Sequence, residues 1–325
     1  MQDRLNRTIH YLRVSVTDRC NYRCTYCMPP GGVDWLPPSE ILTYEEMLRL
    51  IAVFAGEGIT SVRLTGGEPL VRKGIVAFVA KVKALGCIRD LSLTTNGSLL
   101  PAIATELKAA GLDRVNISLD TIDPDRFTRI TTCGSLEETL RGVESAFRAG
   151  LSPVKLNVVL TEFLAESDLA YFLDMAVRFP VAIRFIEYMP IGGSGLVRGM
   201  NPAAVKEKLA AMAGSGLEPA ESKGSGPARY YRLPGASGVW GFITPLSEHF
   251  CGSCNRMRLT ADGRLKPCLL SDREIDIKTP LRAGADDARL AELFRAAVRA
   301  KPERHSLCRA SGHPGFQRCM PQIGG

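Results

Sequence analysis

From residue 12 to about 190, short runs rich in β-branched and apolar residues alternate with stretches whose apolar positions recur every three or four residues. The runs are LRVSV (12–16), VRL (62–64), LSLTT (91–95), VNISL (115–119), VKLNVVL (154–160) and IRFIEYM (183–189). The stretches between them predict helices with readable starts. Thr43 followed by Glu46, and Ser135 followed by Glu138, each fit a capping box, in which two orphan backbone donors are satisfied reciprocally. After Ser135, the residues Leu136, Leu140, Val143 and Phe147 form one apolar stripe at helical spacing, which predicts a core-facing side.

Six βα units of this kind predict a parallel sheet with right-handed crossovers. Six falls short of the eight that close a barrel, so the expected fold is α/β: a partial, open (βα)6 TIM-like barrel. In such barrels chemistry collects at the C-terminal strand ends. The unusual residues stand there: cysteines after the first run, Gly66-Gly67-Glu68-Pro69 after the second, Thr94-Thr95-Asn96-Gly97 at the third and Asp120 after the fourth. Farther on come a short helix near 202–212 and a Gly, Ser and Pro-rich stretch (214–229) that reads as a mobile linker or exposed loop. A hairpin follows, RMRLTADGRLKPCL, with Asp262-Gly263 as its turn, and then a helix near 287–300. The expected division is a barrel domain over 1–232 and a smaller C-terminal domain over 233–325.

Composition narrows the class. The 325 residues hold 45% hydrophobic and 23% charged side chains, ordinary for a soluble globular protein, with no apolar run long enough to cross a bilayer. The first residues, MQDRLNRTIH, lack the apolar stretch of a secretion signal, so a cytoplasmic location without membrane association is expected. A net charge of +7 suits an anionic partner, but the basic residues are scattered and form no block.

The ten cysteines say more. In a reducing compartment, clustered cysteines read as metal or redox ligands. Cys20, Cys24 and Cys27 have C-x3-C-x2-C spacing, with no fourth thiol in the next fifty residues. A closed 4Fe–4S cluster takes four cysteines, so three leave one iron open to an external ligand. Structural zinc wants four protein donors and lacks them here. Cys251, Cys254 and Cys268 form a second trio, for which zinc competes because His249, Cys308 or Cys319 could complete it. Cys87, Cys133, Cys308 and Cys319 stand apart and read as small buried residues or idle thiols. Arg256 and Arg258 alternate along a strand and so share a face with Cys254. No Walker-type loop is present, which excludes P-loop hydrolysis.

CNYRCTYC, with an aromatic residue before its last cysteine, resembles the signature of the radical S-adenosylmethionine (SAM) superfamily. Within it, LRVSVTDRC, GGEPLVRKG, LTTNG, VNISLDTID, IRFIEYMP, FCGSCNRMRLTADGRLKPCL and the closing IGG, in that order, resemble the GTP-cyclising enzymes of molybdenum cofactor (molybdopterin) biosynthesis over essentially the whole chain. The resemblance implies two 4Fe–4S clusters, on Cys20, Cys24 and Cys27 and on Cys251, Cys254 and Cys268. SAM is implied as cosubstrate, with Tyr26, Gly67, Glu68, Ser118 and Met189 around it. It further implies GTP contacts from Arg13, Arg63, Thr94, Lys155, Arg184, Arg256, Met257 and Arg258, and catalytic roles for Arg13, Arg256, Arg258, Gly324 and Gly325. By resemblance, the double-glycine tail reaches back to the arginines and Cys319 is not a ligand. The implied reaction is a lyase-class cyclisation in which a 5′-deoxyadenosyl radical takes the ribose C3′ hydrogen of GTP, giving 3′,8-cyclo-7,8-dihydroguanosine 5′-triphosphate. Implied partners are an electron donor of flavodoxin or ferredoxin type, a downstream cyclic pyranopterin monophosphate synthase and a second copy in a homodimer, with no nucleic acid. Two alternatives remain at this stage: a twin-cluster peptide-modifying maturase, and a zinc-bearing nucleic-acid-binding module.

Overall fold

Each β-rich run becomes a strand whose apolar residues face one way and whose polar residues face the other. The structure is a computed structural model and describes residues 1–192, 197–214, 216–305, 307 and 318–324. In chain order the first half contains β1 (Tyr11–Ser15), α1 (Tyr44–Gly56), β2 (Ser61–Thr65), α2 (Ile75–Ala84), β3 (Asp90–Thr95), α3 (Leu100–Ala109), β4 (Arg114–Ser118), α4 (Pro124–Thr131) and α5 (Leu136–Arg148). There follow β5 (Val154–Leu160), α6 (Glu166–Arg178), β6 (Val181–Glu187), α7 (Pro202–Ala213), β7 (Glu218–Ala220), β8 (Arg229–Arg232) and β9 (Val239–Ile243). The chain continues with β10 (Arg256–Leu259), β11 (Arg264–Lys266), β12 (Ile275–Asp276), α8 (Lys278–Arg282), α9 (Asp287–Arg299) and α10 (Met320–Ile323).

Strands β1 to β6 lie side by side in parallel, giving the six-unit open barrel expected from the sequence. Two strands from the C-terminal part widen it: β10 pairs in parallel with β1, and β9 with β6. Antiparallel extensions, β11–β12 beyond β10 and β8–β7 beyond β9, finish the two edges of one sheet. The sheet therefore runs without a break across residue 232.

The alternation within the strands sets the two sides of this wall. Leu12, Val14, Val62, Leu64, Leu93 and Ile117 are fully buried against the surrounding helices. Their neighbours Arg13, Arg63, Thr65, Thr94, Ser118, Asn157 and Arg184 face the lumen instead. Most α/β barrels fill the lumen with branched apolar side chains; this one sets hydrogen-bonding and cationic groups among apolar ones such as Val159, Ile186 and Phe250.

Thr43 and Glu46 form the full capping box, with Glu46 N–H donating to Thr43 Oγ1 (3.1 Å) and Thr43 N–H to the Glu46 carboxylate (2.7 Å). Ser135 Oγ accepts from Glu138 N–H at 3.3 Å, again starting its helix. The apolar stripe read on α5 is displaced. Thr139, Gly142, Val143 and Ala146 are buried, whereas Leu136, Leu140 and Phe147 only flank the core. The reason is close approach: a Cβ on Gly142 would collide with the Gly97 carbonyl, so α5 lies with its small residues against the loop after β3. Thr139 Oγ1 donates to Asn96 O (3.1 Å) at the same contact.

The Gly, Ser and Pro-rich stretch is not the free linker that its composition suggests. It contributes β7, and residues after it fold under the N-terminal ends of the strands. Ser225 Oγ meets Ser61 Oγ at 3.3 Å, Asn255 Nδ2 donates to Ser225 O (3.3 Å), and Gly226 and Pro227 line the lumen. Small residues are required because Gly224 lies against the Arg114 guanidinium. The segment plugs the barrel floor.

The α5 contact generates a pair of expectations. Gly142→Ala should lower the stability of the metal-free protein by roughly 1–3 kcal/mol, the usual cost of overpacking. Gly56→Ala, where nothing stands within 4 Å of an added Cβ, should be neutral or slightly stabilising. Denaturant midpoints of the two variants check this.

Candidate functional site

Cys20, Cys24 and Cys27 lie on the loop that leaves the C-terminal end of β1, half-buried, and face a cavity of ≈ 300 Å³ in the lumen. The loop is seated on α4: Arg23 N–H donates to Thr131 O (3.0 Å) and Thr25 N–H to Ile130 O (2.9 Å). Behind it sits the Gly66-Gly67-Glu68-Pro69 turn, with Gly67 N–H on Thr17 O and Glu68 N–H on Arg19 O, both at 2.8 Å. A Cβ on Gly66 would stand 2.6 Å from Thr17 O, and one on Gly67 would collide with Arg19 O. The two glycines thus let this turn lie flush against the cysteine loop.

Glu68 is 1% exposed, and its carboxylate accepts from Leu70 N–H (3.0 Å), Thr95 Oγ1 (2.8 Å) and Asn96 N–H (2.7 Å). Burial pushes its carboxyl up to about 7 against the pull of those donors. It ties the second-strand loop to the third. Tyr26 Oη donates to Asp120 Oδ2 (2.7 Å), and Asp120 Oδ1 accepts from Val159 N–H (2.7 Å). Burial raises the Asp120 carboxyl to about 6. Asp120 thereby fixes the ring that precedes Cys27; in the sequence its only signal was its place at a strand end.

The second trio stands at the other end of the lumen. From the C-terminal end of β9, residues 244–255 run down the open side of the barrel to the start of β10, whose Arg256 is level with Tyr11 at the N-terminal end of β1. Asn255 O accepts from His10 and Tyr11 N–H groups (3.3 and 3.2 Å). The Glu187 carboxylate, 1% exposed, accepts from Leu246 and Ser247 N–H (2.8 and 2.9 Å). Arg7, paired with Asp3 at 2.6 Å, donates to Cys251 O (2.9 Å) and Pro302 O (2.8 Å). Arg7 is an anchor that no motif announced, and Glu187 lies in the IRFIEYMP run without having been singled out.

The two trios differ electrostatically. Burial pushes the Cys20 thiol up to about 12 and the Cys24 and Cys27 thiols well above their ordinary range. Burial also pushes Cys254 up, but Arg256 and Lys301 outweigh it and bring that thiol down to about 6. Burial raises Cys268. None of the described cysteines is in a disulfide.

The spacing of the sulfurs discriminates between one ion and a cluster. Tetrahedral zinc with Zn–S bonds of about 2.3 Å holds its sulfurs about 4 Å apart. Among the described residues, only His249, Cys251 and His305 bring three donor atoms within 4.8 Å of one another; neither cysteine trio does. Neither trio as it stands gathers its sulfurs around one tetrahedral ion, whereas a cubane carries its thiolates on separate corners. Each trio offers three thiolates to a 4Fe–4S cluster, whose fourth corner would be left to an external ligand. Cys308 lies outside the described residues. Cys319, weighed as a donor to the second trio, acts electrostatically on Cys27 of the first. Cys87 and Cys133 are exposed, which leaves the reading of idle thiols and removes that of buried core residues.

Between the trios lie the predicted cations. Arg13, Arg63, Arg184, Arg256 and Arg258 all line the cavity. Arg63 donates to Ser92 Oγ (3.2 Å) and stacks on Tyr11, Arg184 donates to Asn116 (2.7 Å) and to Asn157, and Arg256 sits over Phe250. Among the described residues no carboxylate pairs with Arg63, Arg184, Arg256 or Arg258. Burial, with mutual repulsion, brings Arg258 down to about 10; burial likewise brings Arg63 to about 10 despite Tyr11. Tyr11 Oη, Thr65 Oγ1, Thr94 Oγ1 and Arg184 Nε, all on cavity-lining residues, are buried without a hydrogen-bond partner among the described residues. Buried orphans of this kind are costly, and a polar anionic ligand would satisfy them.

Two expected contacts are not brought to the cavity. Met257 is fully buried on the outer face of β10 beside Leu12, because neighbours of Arg256 and Arg258 must point the other way. Lys155 is drawn into the floor plug, donating to Ser222 Oγ (3.2 Å), Tyr230 Oη (3.1 Å) and Lys223 O. Tyr26, Gly67, Glu68, Ser118 and Met189 do line the cavity. So does the tail, through Met320 and Pro321. Arg318 holds it to Asp262 (2.8 Å) and Glu274 (2.8 Å), and Arg258 Nη1 donates to Gly324 O (2.9 Å). A Cβ on Gly324 would stand 2.7 Å from Thr65 Oγ1 and 2.8 Å from Ser15 Cβ, so only glycine passes there. Gly325 lies outside the described residues.

Known proteins resemble this chain in sequence and fold. Residues 14–176 match the model of the Radical SAM superfamily, and residues 181–307 that of Molybdenum Cofactor Synthesis C. The GTP 3′,8-cyclases of Heliobacterium modesticaldum and Pelotomaculum thermopropionicum are 53% and 48% identical to the chain, each over 100% of both sequences. Among solved structures, Streptococcus suis SuiB bound to S-adenosylmethionine shares the fold with a TM-score of 0.61 at 15% identity, over 89% of this chain and 68% of that one. The chain belongs to the GTP 3′,8-cyclase family of the radical SAM superfamily.

Proposed function

We propose that this enzyme cyclises GTP to 3′,8-cyclo-7,8-dihydroguanosine 5′-triphosphate for molybdenum cofactor biosynthesis, with SAM as cosubstrate. The observation that carries the reading is one cavity with a three-thiolate cage at each end and a row of guanidinium groups between them, of which Arg63, Arg184, Arg256 and Arg258 pair with no carboxylate among the described residues. Cys20, Cys24 and Cys27 would hold the first 4Fe–4S cluster, and Cys251, Cys254 and Cys268 the second. When bound, the first supplies the electron that cleaves SAM to the 5′-deoxyadenosyl radical, and the second an open iron for the guanine base.

The chain's own residues do the rest. Gly66 and Gly67 bring backbone against the first cage, and Tyr26, Ser118 and Met189 bound the space beside it for SAM. Arg63, Arg184 and Arg258 present forks to a triphosphate, whose oxygens they can bind in pairs. Arg13 and Arg256 line the cavity with Arg258, whose Nη1 donates to the Gly324 carbonyl, and would steady the ribose and the developing radical. The floor plug and the tail close the lumen, excluding water that a reactive radical would otherwise meet. A flavodoxin or ferredoxin-type donor, transfer of product to a cyclic pyranopterin monophosphate synthase, a homodimeric state and a cytoplasmic location complete this reading. Among the described residues no helix is long and apolar enough to cross a membrane.

The deciding experiment incubates the anaerobically reconstituted, reduced protein with SAM and GTP deuterated at C3′. Cyclised nucleotide with deuterium in 5′-deoxyadenosine is expected; SAM cleavage without a GTP product would overturn the proposal. Cys268→Ala should halve the iron per chain and abolish cyclisation while leaving slow, uncoupled SAM cleavage. Arg258→Ala should lower kcat/KM for GTP by about 10–100-fold, corresponding to loss of one or two charge-assisted hydrogen bonds, with stability little changed.

A further inference from the structure

We infer that Lys301 is a positioning residue of the second cage: it locks together the segments that carry Cys254 and Cys268 and gives the bound cluster a fixed positive neighbour. The inference rests on the reading of that trio as a 4Fe–4S site. Lys301 follows the C-cap of α9 and is 8% exposed. Its Nζ donates to Arg256 O (2.8 Å) and Pro267 O (2.7 Å). The first acceptor lies two residues after Cys254, and the second immediately precedes Cys268. One ammonium therefore fixes the distance between two ligands that are fourteen positions apart in the chain.

An ammonium carries three donors and a full charge, and a buried one must be answered. Two carbonyls use two donors, and the remaining charge acts electrostatically on Cys254 and Cys268. Among the described residues no carboxylate pairs with Lys301, so the thiolates of the cage are its counter-charge. Placement is rigid at both ends. Helix α9 docks on α1 with Phe294 stacked on Phe54 (4.3 Å between ring centroids), and Arg7 ties the next carbonyls, Pro302 and Glu303, to that of Cys251. A fixed cation beside a cluster favours its reduced form, since net charge and hydrogen bonds to sulfur are the protein's levers on potential.

The test uses the full chain carrying Cys20→Ala, Cys24→Ala and Cys27→Ala, so that only the second site can take up iron. Iron content and EPR-monitored midpoint potential are measured for this parent and for Lys301→Met and Lys301→Arg in the same background. The expected result is a lower potential, or loss of bound iron, in Lys301→Met, with recovery of both quantities in Lys301→Arg. A Lys301→Met protein with the parent's iron content and potential would overturn the inference. So would Lys301→Arg behaving like Lys301→Met, and this second chain decides the matter should the methionine variant fail to fold. A parent that takes up no iron would instead sink the cluster reading itself, a result distinct from either.

Discussion

Positive charge enclosed without matching carboxylates among the described residues is the constraint around which this molecule is arranged. Arg63, Arg184 and Arg258 are each almost fully buried in the barrel lumen, held by serine, asparagine, tyrosine and backbone oxygen. Such groups lower one another's affinity for protons and cost folding free energy. The fold tolerates them because its outer face carries a continuous apolar layer between sheet and helices. The same tension makes the lumen receptive to a polyanion, whose oxygens would replace water that the guanidinium groups have lost.

The barrel's departures from an ordinary one follow from keeping that lumen both charged and closed. A flexible-looking stretch becomes the floor, since only small residues fit under Arg114 and beside Ser61. The strands β9 and β10 extend the wall at either side, and the segment between them spans the gap while carrying Cys251 and Cys254. The tail enters from above, where Gly324 fits between Ser15 and Thr65 and its carbonyl meets Arg258. Each closure places a chemically active group on the cavity wall, so sealing the lumen and equipping it are one structural act.

Much of this was legible beforehand. Six strands, their helices and the two cysteine trios stand where spacing and periodicity placed them, and β10–β11 turns at Asp262-Gly263 as its dipeptide implies. The strict polar–apolar alternation of the strands also told which of Arg256, Met257 and Arg258 would share a face; counting Met257 among the GTP contacts ran against that rule. The errors share another cause. The stripe on α5 was read from side-chain size, but the helix is oriented by the absence of a side chain at Gly142. The 214–229 stretch was read from composition as a mobile linker or exposed loop; much of it is exposed, but Gly224 against Arg114 and Ser225 against Ser61 and Asn255 tie it to the barrel floor.

Local pattern alone determined the βα alternation, the helix starts, the three-thiolate loops and the existence of a cationic strand face, because each depends on residues within one or two turns of one another. Only the tertiary structure decided that the trios stand at opposite ends of one lumen and that Lys155 turns into the floor. The same holds for Glu187, Arg7 and Lys301 as the supports of the second cage. Those outcomes depend on pairings such as Arg7 with Cys251 and Lys301 with Arg256, which join residues hundreds or tens of positions apart. No periodicity encodes them; they arise when the sheet brings distant backbone oxygens within reach of a buried charge that has nowhere else to go.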